Sequence, residues 1–182
     1  MRYKLNVPKH LKNIYSTSDQ AYEINKILKL YISNSDIVTD ATACIGGNAF
    51  FFQKDFKWVN IIEKDPNIFY TLKKNTDFSN CKHYNCSYLT LMYILRQDLV
   101  FLDPPWGGVD YKKNYNINLY LDDINVIDVI NNLYHYTRNI AMKIPNNYNL
   151  EYVNKNFWEW KIYPIYSNKK KIYNLIVFYK RI

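Results

Sequence analysis

The segment Asp103-Pro-Pro-Trp-Gly-Gly108 holds the residues of this chain best suited to chemistry. An exocyclic amine on a nucleobase is a poor nucleophile, because its lone pair is delocalised into the ring. A carboxylate and a backbone carbonyl that both accept its N–H bonds localise that lone pair and aim it at an electrophile. Asp103 supplies the carboxylate, and two prolines with fixed φ angles set the Pro104 carbonyl toward the site. Trp106 offers a base a face on which to stack, with Pro105 beside it on the substrate side. The chemistry these residue types suggest is methyl transfer to a base amine.

A second constellation lies upstream. The chain has 4 glycines in 182 residues, and they fall in two pairs, Gly46-Gly47 and Gly107-Gly108. A chain this poor in glycine keeps it where a Cβ would forbid the backbone conformation or a close approach. The first pair follows the apolar run Asp36-Ile-Val-Thr-Asp40 and precedes Ala49-Phe-Phe-Phe52, an order that reads as strand, tight turn, helix start. A nucleoside cofactor at such a strand end needs little side chain there. It also needs an acid after the next strand to accept hydrogen bonds from the ribose hydroxyls. Glu63, 23 positions beyond Asp40, stands near the ~20-residue spacing of dinucleotide folds. Taken alone, these residues equally fit a plain turn and a loop cap.

Such residues need strand ends to hold them, and the chain alternates helix and strand signals. This argues for a mostly parallel sheet covered on both faces. Ser18 or Asp19 is expected to cap a helix running to about Ile32, with Ala21, Ile24, Ile27, Leu28 and Tyr31 on one face. Strand one ends at Asp40, a helix follows Gly47, and residues 58–63 form strand two. Asp65-Pro66 caps a helix to about Asn75. Residues 82–86 and 98–102 read as strands three and four, 119–134 as a helix, and 139–144 as strand five. A polar helix is expected near 148–154, and 160–166 with 172–179 read as an antiparallel hairpin about Ser-Asn-Lys-Lys-Lys. The expectation is one α/β domain over residues 1–182: a doubly wound, seven-stranded sheet with a C-terminal antiparallel hairpin and a short basic N-terminal arm over 1–18.

Composition narrows the partner. A net charge of +8 favours an anionic one. Lys169-Lys-Lys171 suits either a solvated hairpin turn or a phosphate contact. Three cysteines, Cys44, Cys81 and Cys86, stand in no metal spacing with the three histidines. They read as thiols in a reducing compartment, and no metal is expected. Met1-Arg-Tyr-Lys-Leu-Asn6 runs into polar sequence, and no apolar stretch approaches the ~20 residues that cross a bilayer. A soluble protein of the cytoplasm or nucleus is expected, neither secreted nor membrane-spanning; the sequence leaves the oligomeric state open, with a monomer favoured.

The motifs resemble those of trimethylguanosine synthases, the S-adenosyl-L-methionine (SAM) dependent enzymes that methylate the N2 amine of 7-methylguanosine in RNA caps. Val100-Phe-Leu-Asp-Pro-Pro-Trp-Gly-Gly-Val-Asp-Tyr111 is similar to their Pro-Pro-Trp-Gly-Gly-Pro-Asp-Tyr segment. Asp40-Ala-Thr-Ala-Cys-Ile-Gly-Gly-Asn48 is similar to their cofactor loop, and Glu63-Lys-Asp-Pro66 to their Asp-x-Asp-Pro. The resemblance spans about Ser16 to the C-terminus and implies the Rossmann-like methyltransferase fold, with capped RNA as partner. It implies that Asp40, Gly46, Gly47 and Glu63 hold SAM, with Ser18 near its methionine end, and that Asp103 borders the cofactor as well. Trp106 would stack on the 7-methylguanine, Asp103 and Pro104 would engage its N2 amine, and Asn75 would lie close to the base. Three positions depart from the pattern. Cys44 stands where the family has glycine, Asp103 where the cap enzymes often have serine, and Ser87 where an acid reads the adenine amine, with Asn85 nearby as a substitute. Two alternatives follow: an amine methyltransferase acting on a base of other RNA or DNA, and a non-catalytic cap-binding or partner module on this fold.

Overall fold

Three short hydrophobic runs pair side by side to make the centre of the sheet. In the computed structural model, which describes residues 5–11, 15–153, 158–167 and 169–180, these are β1 (Ile37–Asp40), β2 (Trp58–Ile62) and β4 (Leu99–Leu102). The last, Leu-Val-Phe-Leu, is buried at every position, as a strand covered on both faces must be. β3 (Cys81–Tyr84) adds to β2 in parallel, one residue earlier than expected, and β7 (Asn139–Ile144) adds to β4 in parallel. β8 (Glu159–Ser167) and β9 (Lys170–Tyr179) form the terminal hairpin, with β9 antiparallel to β7. The sheet order is β3-β2-β1-β4-β7-β9-β8.

The order places the two glycine pairs. From β1 the chain moves outward through β2 and β3, then returns to lay β4 on the other side of β1. The loops after β1 and β4 therefore flank the point where the winding reverses, and a crevice opens there beyond the strand ends. Gly46-Gly47 lies in one loop and Gly107-Gly108 in the other.

Side chains alternate across the sheet into two cores. Leu99 and Phe101 join Ile24, Leu28, Phe52 and Leu72 on the face covered by α1 (Ser18–Leu28), α2 (Ala49–Asp55) and α3 (Pro66–Asn75). Val100 and Leu102 join Val129, Ile130, Met142 and Trp158 on the face covered by α4 (Val126–Asn132). Asp65 caps α3 as its sequence promised, accepting from the Asn67 and Ile68 amides at 2.8 and 3.2 Å ahead of Pro66.

Several boundaries differ from the expectation. Thr17, not Ser18 or Asp19, is the N-cap of α1, and its amide donates to the Gln20 side chain at 3.1 Å. The helix ends at Leu28, while Tyr31 and Ile32 continue its apolar face from a turn. The stretch 119–134 is not one helix. It holds a small hairpin, β5 (Tyr120–Leu121) with β6 (Ile124–Asn125), before α4 and a 3-10 turn Leu133–His135. Asn125 sets the break by capping the Ile127 amide at 3.0 Å. Of the helix expected near 148–154, the described residues show Tyr148 bridging Ile117 in parallel, a turn at 151–152 and a 3-10 position at Val153, while residues 154–157 lie outside the described residues. Lys169, Lys170 and Lys171 are exposed at the β8–β9 turn, in keeping with a solvated hairpin. The N-terminal arm shows a 3-10 turn Lys9–Leu11, and Lys12 lies outside the described residues.

Candidate active site

The loop after β1 is bound to its neighbours by backbone hydrogen bonds. The Ala41 amide donates to Phe101 and the Ala43 amide to Ile62, each at 2.9 Å. Gly46 has φ +92°, and a Cβ there would stand 2.5 Å from the Thr76 methyl; at Gly47 it would stand 2.6 Å from the Ser16 carbonyl oxygen. These glycines are thus demanded by the protein's own chain, which packs against the loop from α3 and from the N-terminal segment.

Cys44 also has a positive φ, +51°, so the turn at this departure from the family pattern is left-handed. An L-residue there costs roughly 1–2 kcal/mol, against the roughly 0.5–1 kcal/mol of extra chain entropy that glycine loses on folding. Cys44→Gly is therefore expected to raise stability by about 0.5–1 kcal/mol, read as a higher urea midpoint at unchanged slope. A lower midpoint would show that packing of the thiol outweighs the strain.

Glu63 ties the loop to the end of β2. One carboxylate oxygen accepts from the Cys44 amide at 3.0 Å and the other from the Asp65 amide at 2.8 Å. Burial raises its pKa, against the pull of those amides. Asn75 anchors the other side. Its side chain donates to the Ile45 and Asn6 carbonyls at 2.9 and 3.1 Å and accepts from the Asn6 amide at 2.9 Å. Asn75 therefore holds the loop to the N-terminal segment.

Asp40 lies fully buried beneath this loop. Among the described residues neither of its oxygens has a well-formed hydrogen bond, although the Thr42 and Ala49 amides lie close enough to favour its charge. Burial first, then the nearby Asp103 charge, pushes its carboxyl up to about 8. A raised acid means that the folded protein holds a proton the unfolded chain has released, so stability falls as pH rises from about 4, the ordinary aspartate value, to about 8. Asp40→Asn is expected to flatten that decline. Urea midpoints measured across this window in both proteins check it, and parallel curves would contradict it.

Asp103 follows β4 directly. Its amide donates to the Thr42 hydroxyl at 2.7 Å, and its carboxylate receives the Lys143 ammonium at 2.7 Å. Burial raises its pKa and Lys143 opposes the rise. Lys143 is the one charged residue of the buried strand β7, and only 9% of its side chain is exposed. Its Nζ stands 5.3 Å from the Trp106 ring centre, 4.6 Å from that of Tyr173, and 3.3 Å from the Ser16 hydroxyl. Trp106 is half-buried, meeting Tyr111 and Tyr173 edge to face at 5.2 and 5.8 Å. Its buried Nε1 has no partner among the described residues. Gly107 and Gly108 have φ of +88° and +79° with open space where a Cβ would stand, so conformation alone requires glycine there.

Beside this cluster a crevice of about 140 Å³ runs along the strand ends, lined by Thr42, Ile62, Glu63, Ser87, Tyr88, Pro105, Leu121 and Asp122 among others. Ser87 donates to Asp122, which also takes the Lys64 ammonium. Asn85 is engaged elsewhere, donating to the Glu63 and Lys64 carbonyls at 2.8 and 3.2 Å.

A family model described as RNA cap guanine-N2 methyltransferase matches residues 35–177. The chain belongs to that family. A viral relative of the chain, the uncharacterized protein L320 of Acanthamoeba polyphaga mimivirus, is 38% identical over 124 residues, 64% of this chain and 48% of the relative. The chain thus spans about half the length of that relative. Among solved structures, a Porphyromonas gingivalis W83 protein assigned as a methyltransferase superposes with a TM-score of 0.74 at 13% identity, over 94% of this chain and 42% of that one. An rRNA methylase from Streptococcus thermophilus gives 0.63 at 14% identity, over 88% and 96%. M. jannaschii TYW2, solved in complex with AdoMet, gives 0.53 at 16% identity, over 97% and 80%. These likenesses show the fold, the seven-stranded Rossmann-like sheet of methyltransferases.

RNA cap guanine-N2 methyltransferases draw their methyl group from SAM, and the crevice suits such a molecule. Ile62, Tyr88, Leu121 and Pro105 supply apolar walls for a flat base, and Glu63 keeps free lone pairs for hydroxyl donors. The structure brings Asp103, Pro104, Trp106 and the glycines of this family member to the two loops at the switch point, with Glu63 after β2 and Ser87 after β3 lining the adjoining crevice. It keeps Asp40 sealed below them, and Ser18 opens α1. The buried Ser16 is the serine that touches the cluster, where it accepts from the Asn48 side chain at 3.2 Å. Ser16, Lys143 and Tyr173 are additions that sequence reasoning missed. For Lys143 a signal was present: a lone lysine in the apolar run Asn139-Ile-Ala-Met-Lys-Ile144.

Proposed function

We propose that the chain transfers a methyl group from SAM to the N2 amine of 7-methylguanosine in an RNA cap. The observation that carries this reading is the Asp103 carboxylate, held by the buried Lys143 ammonium, with the half-buried Trp106 indole beside it at the strand end next to the nucleoside crevice. When bound, SAM supplies an electrophilic methyl group on a sulfonium. The chain's residues have the task of presenting an amine to it. Asp103 accepts one amine N–H, and the Pro104 carbonyl accepts the second. Lys143 fixes the Asp103 carboxylate so that its free lone pairs face the substrate. Trp106 stacks on the base, and methylation at N7 gives that base a positive charge. A cation over an indole gains about 0.5–2 kcal/mol, depending on desolvation. The chain's net charge of +8 favours the cap triphosphate and makes binding salt-sensitive.

With S-adenosylhomocysteine present, 7-methylguanosine triphosphate is expected to bind about 2–30-fold more tightly than guanosine triphosphate. The difference should vanish in Trp106→Ala. Equal affinities in the unmodified protein, followed by calorimetry, would count against a cap.

One observation favours a second reading, an amine on an uncharged base of another RNA. Asp103 stands where cap enzymes often have serine, and its partner Lys143 places a cation near the same indole that would receive a charged base. The same titration separates the two, because an uncharged base gains nothing from N7 methylation.

A further inference from the structure

Ser87 lies in the crevice where the family pattern puts an acid that reads the adenine amine, and a serine cannot supply a carboxylate. The structure brings one there from a different element. Asp122 lines the same crevice from the two-residue turn between β5 and β6. Ser87 Oγ donates to its Oδ2, and Lys64 Nζ binds its Oδ1, both at 2.5 Å. Its backbone holds φ +52°, a left-handed conformation that aspartate adopts more readily than most residues.

The two partners hold the carboxylate, one at each oxygen, without using up its capacity. Each oxygen of an ionised carboxylate has a second lone pair. Lys64 and Ser87, its two strongest partners, both favour the charged form. The other acid of the crevice, Glu63, sits at the end of β2, tied to the Cys44 and Asp65 amides, and its free lone pairs are assigned to the ribose hydroxyls in the reading above. The apolar walls, Ile62, Tyr88, Leu121 and Pro105, offer an amine no side-chain carboxylate.

We propose that Asp122, presented by the β5–β6 turn and held by Ser87 and Lys64, reads the adenine amine of the cofactor in this chain. The small hairpin is then a wall of the cofactor site. This rests on the SAM reading above, and its test is chosen so that the two fail differently.

The test is calorimetric binding of S-adenosylhomocysteine and of S-inosylhomocysteine, whose ring carries a carbonyl oxygen in place of the amine. The unmodified protein is expected to prefer the adenine ligand. Asp122→Asn is expected to weaken that ligand about tenfold or more and to narrow or reverse the preference, because a carboxamide can donate to the inosine carbonyl. Asp122→Gly keeps the left-handed turn and is expected to lose adenine affinity without gaining inosine affinity. Adenine binding unchanged in both variants would overturn the proposal while leaving the cofactor reading intact. Failure of the unmodified protein to bind S-adenosylhomocysteine would overturn the cofactor reading itself, and this proposal with it.

Discussion

Lys143→Met is expected to destabilise the protein by about 3–5 kcal/mol, the usual consequence of stripping one partner from a buried ion pair. The ammonium and the Asp103 carboxylate are 2.7 Å apart, with only 9% and 17% of their side chains exposed. Methionine fills much of the lysine's volume but leaves the carboxylate without a counter-ion. The loss has a pH signature. Without the ammonium the Asp103 pKa rises further above its unfolded value, so the deficit is small at low pH, grows as pH climbs from the unmodified protein's folded-state pKa toward the variant's higher one, and levels off above it. The double variant Asp103→Asn/Lys143→Met removes both charges and is expected to regain most of the stability, because well-packed neutral groups often replace a buried pair at little cost. Urea unfolding of the three variants, read as midpoints at unchanged slope, checks this. A loss below about 1 kcal/mol in the single variant would mean that the pair behaves as a solvated one.

The second large effect falls on catalysis. Asp103→Asn is expected to lower turnover by about 10²–10³-fold, the cost of one misdirected hydrogen-bonding group at a reacting centre. Lys143 is a donor without acceptor capacity, so the new carboxamide must turn its oxygen toward it. The amide NH2 then faces the substrate amine, donor against donor. Substrate affinity, which the proposed function assigns chiefly to Trp106, should change far less, because the Asp103 interaction strengthens toward the transition state. Single-turnover rates alongside equilibrium binding separate the two quantities. A variant that loses affinity and turnover together would make Asp103 a binding residue instead.

Much of the sheet was legible because its signals are strong and local. Leu99-Val-Phe-Leu102 can hardly be anything but a buried strand, and Asp65-Pro66 is a helix start by its chemistry. The hairpin at 120–125 was hidden, since strands of two residues show no periodicity. The cap of α1 was ambiguous because Ser16-Thr-Ser-Asp19 offers four residues able to cap. In the site, the Asp103-Pro-Pro-Trp segment and the glycine pairs announced themselves. What escaped was long-range. Lys143 meets Asp103 across 40 positions of sequence, and Asp122 meets Ser87 across 35. Nothing local in either residue names its partner. Cys44 stood out as a Cβ where the family has glycine, but only the structure shows that the turn there is left-handed and that the cysteine bears the strain.

The proposed function makes the amine of a 7-methylguanine cap the methyl acceptor. Its most direct test is a methyl-transfer reaction with isotopically labelled SAM on three RNAs of one sequence: 7-methylguanosine-capped, guanosine-capped and uncapped. Digestion and mass spectrometry then locate the label. Label is expected on N2 of 7-methylguanosine in the first RNA, with little in the other two. Equal labelling of all three, or label on adenine or an internal base, would contradict it.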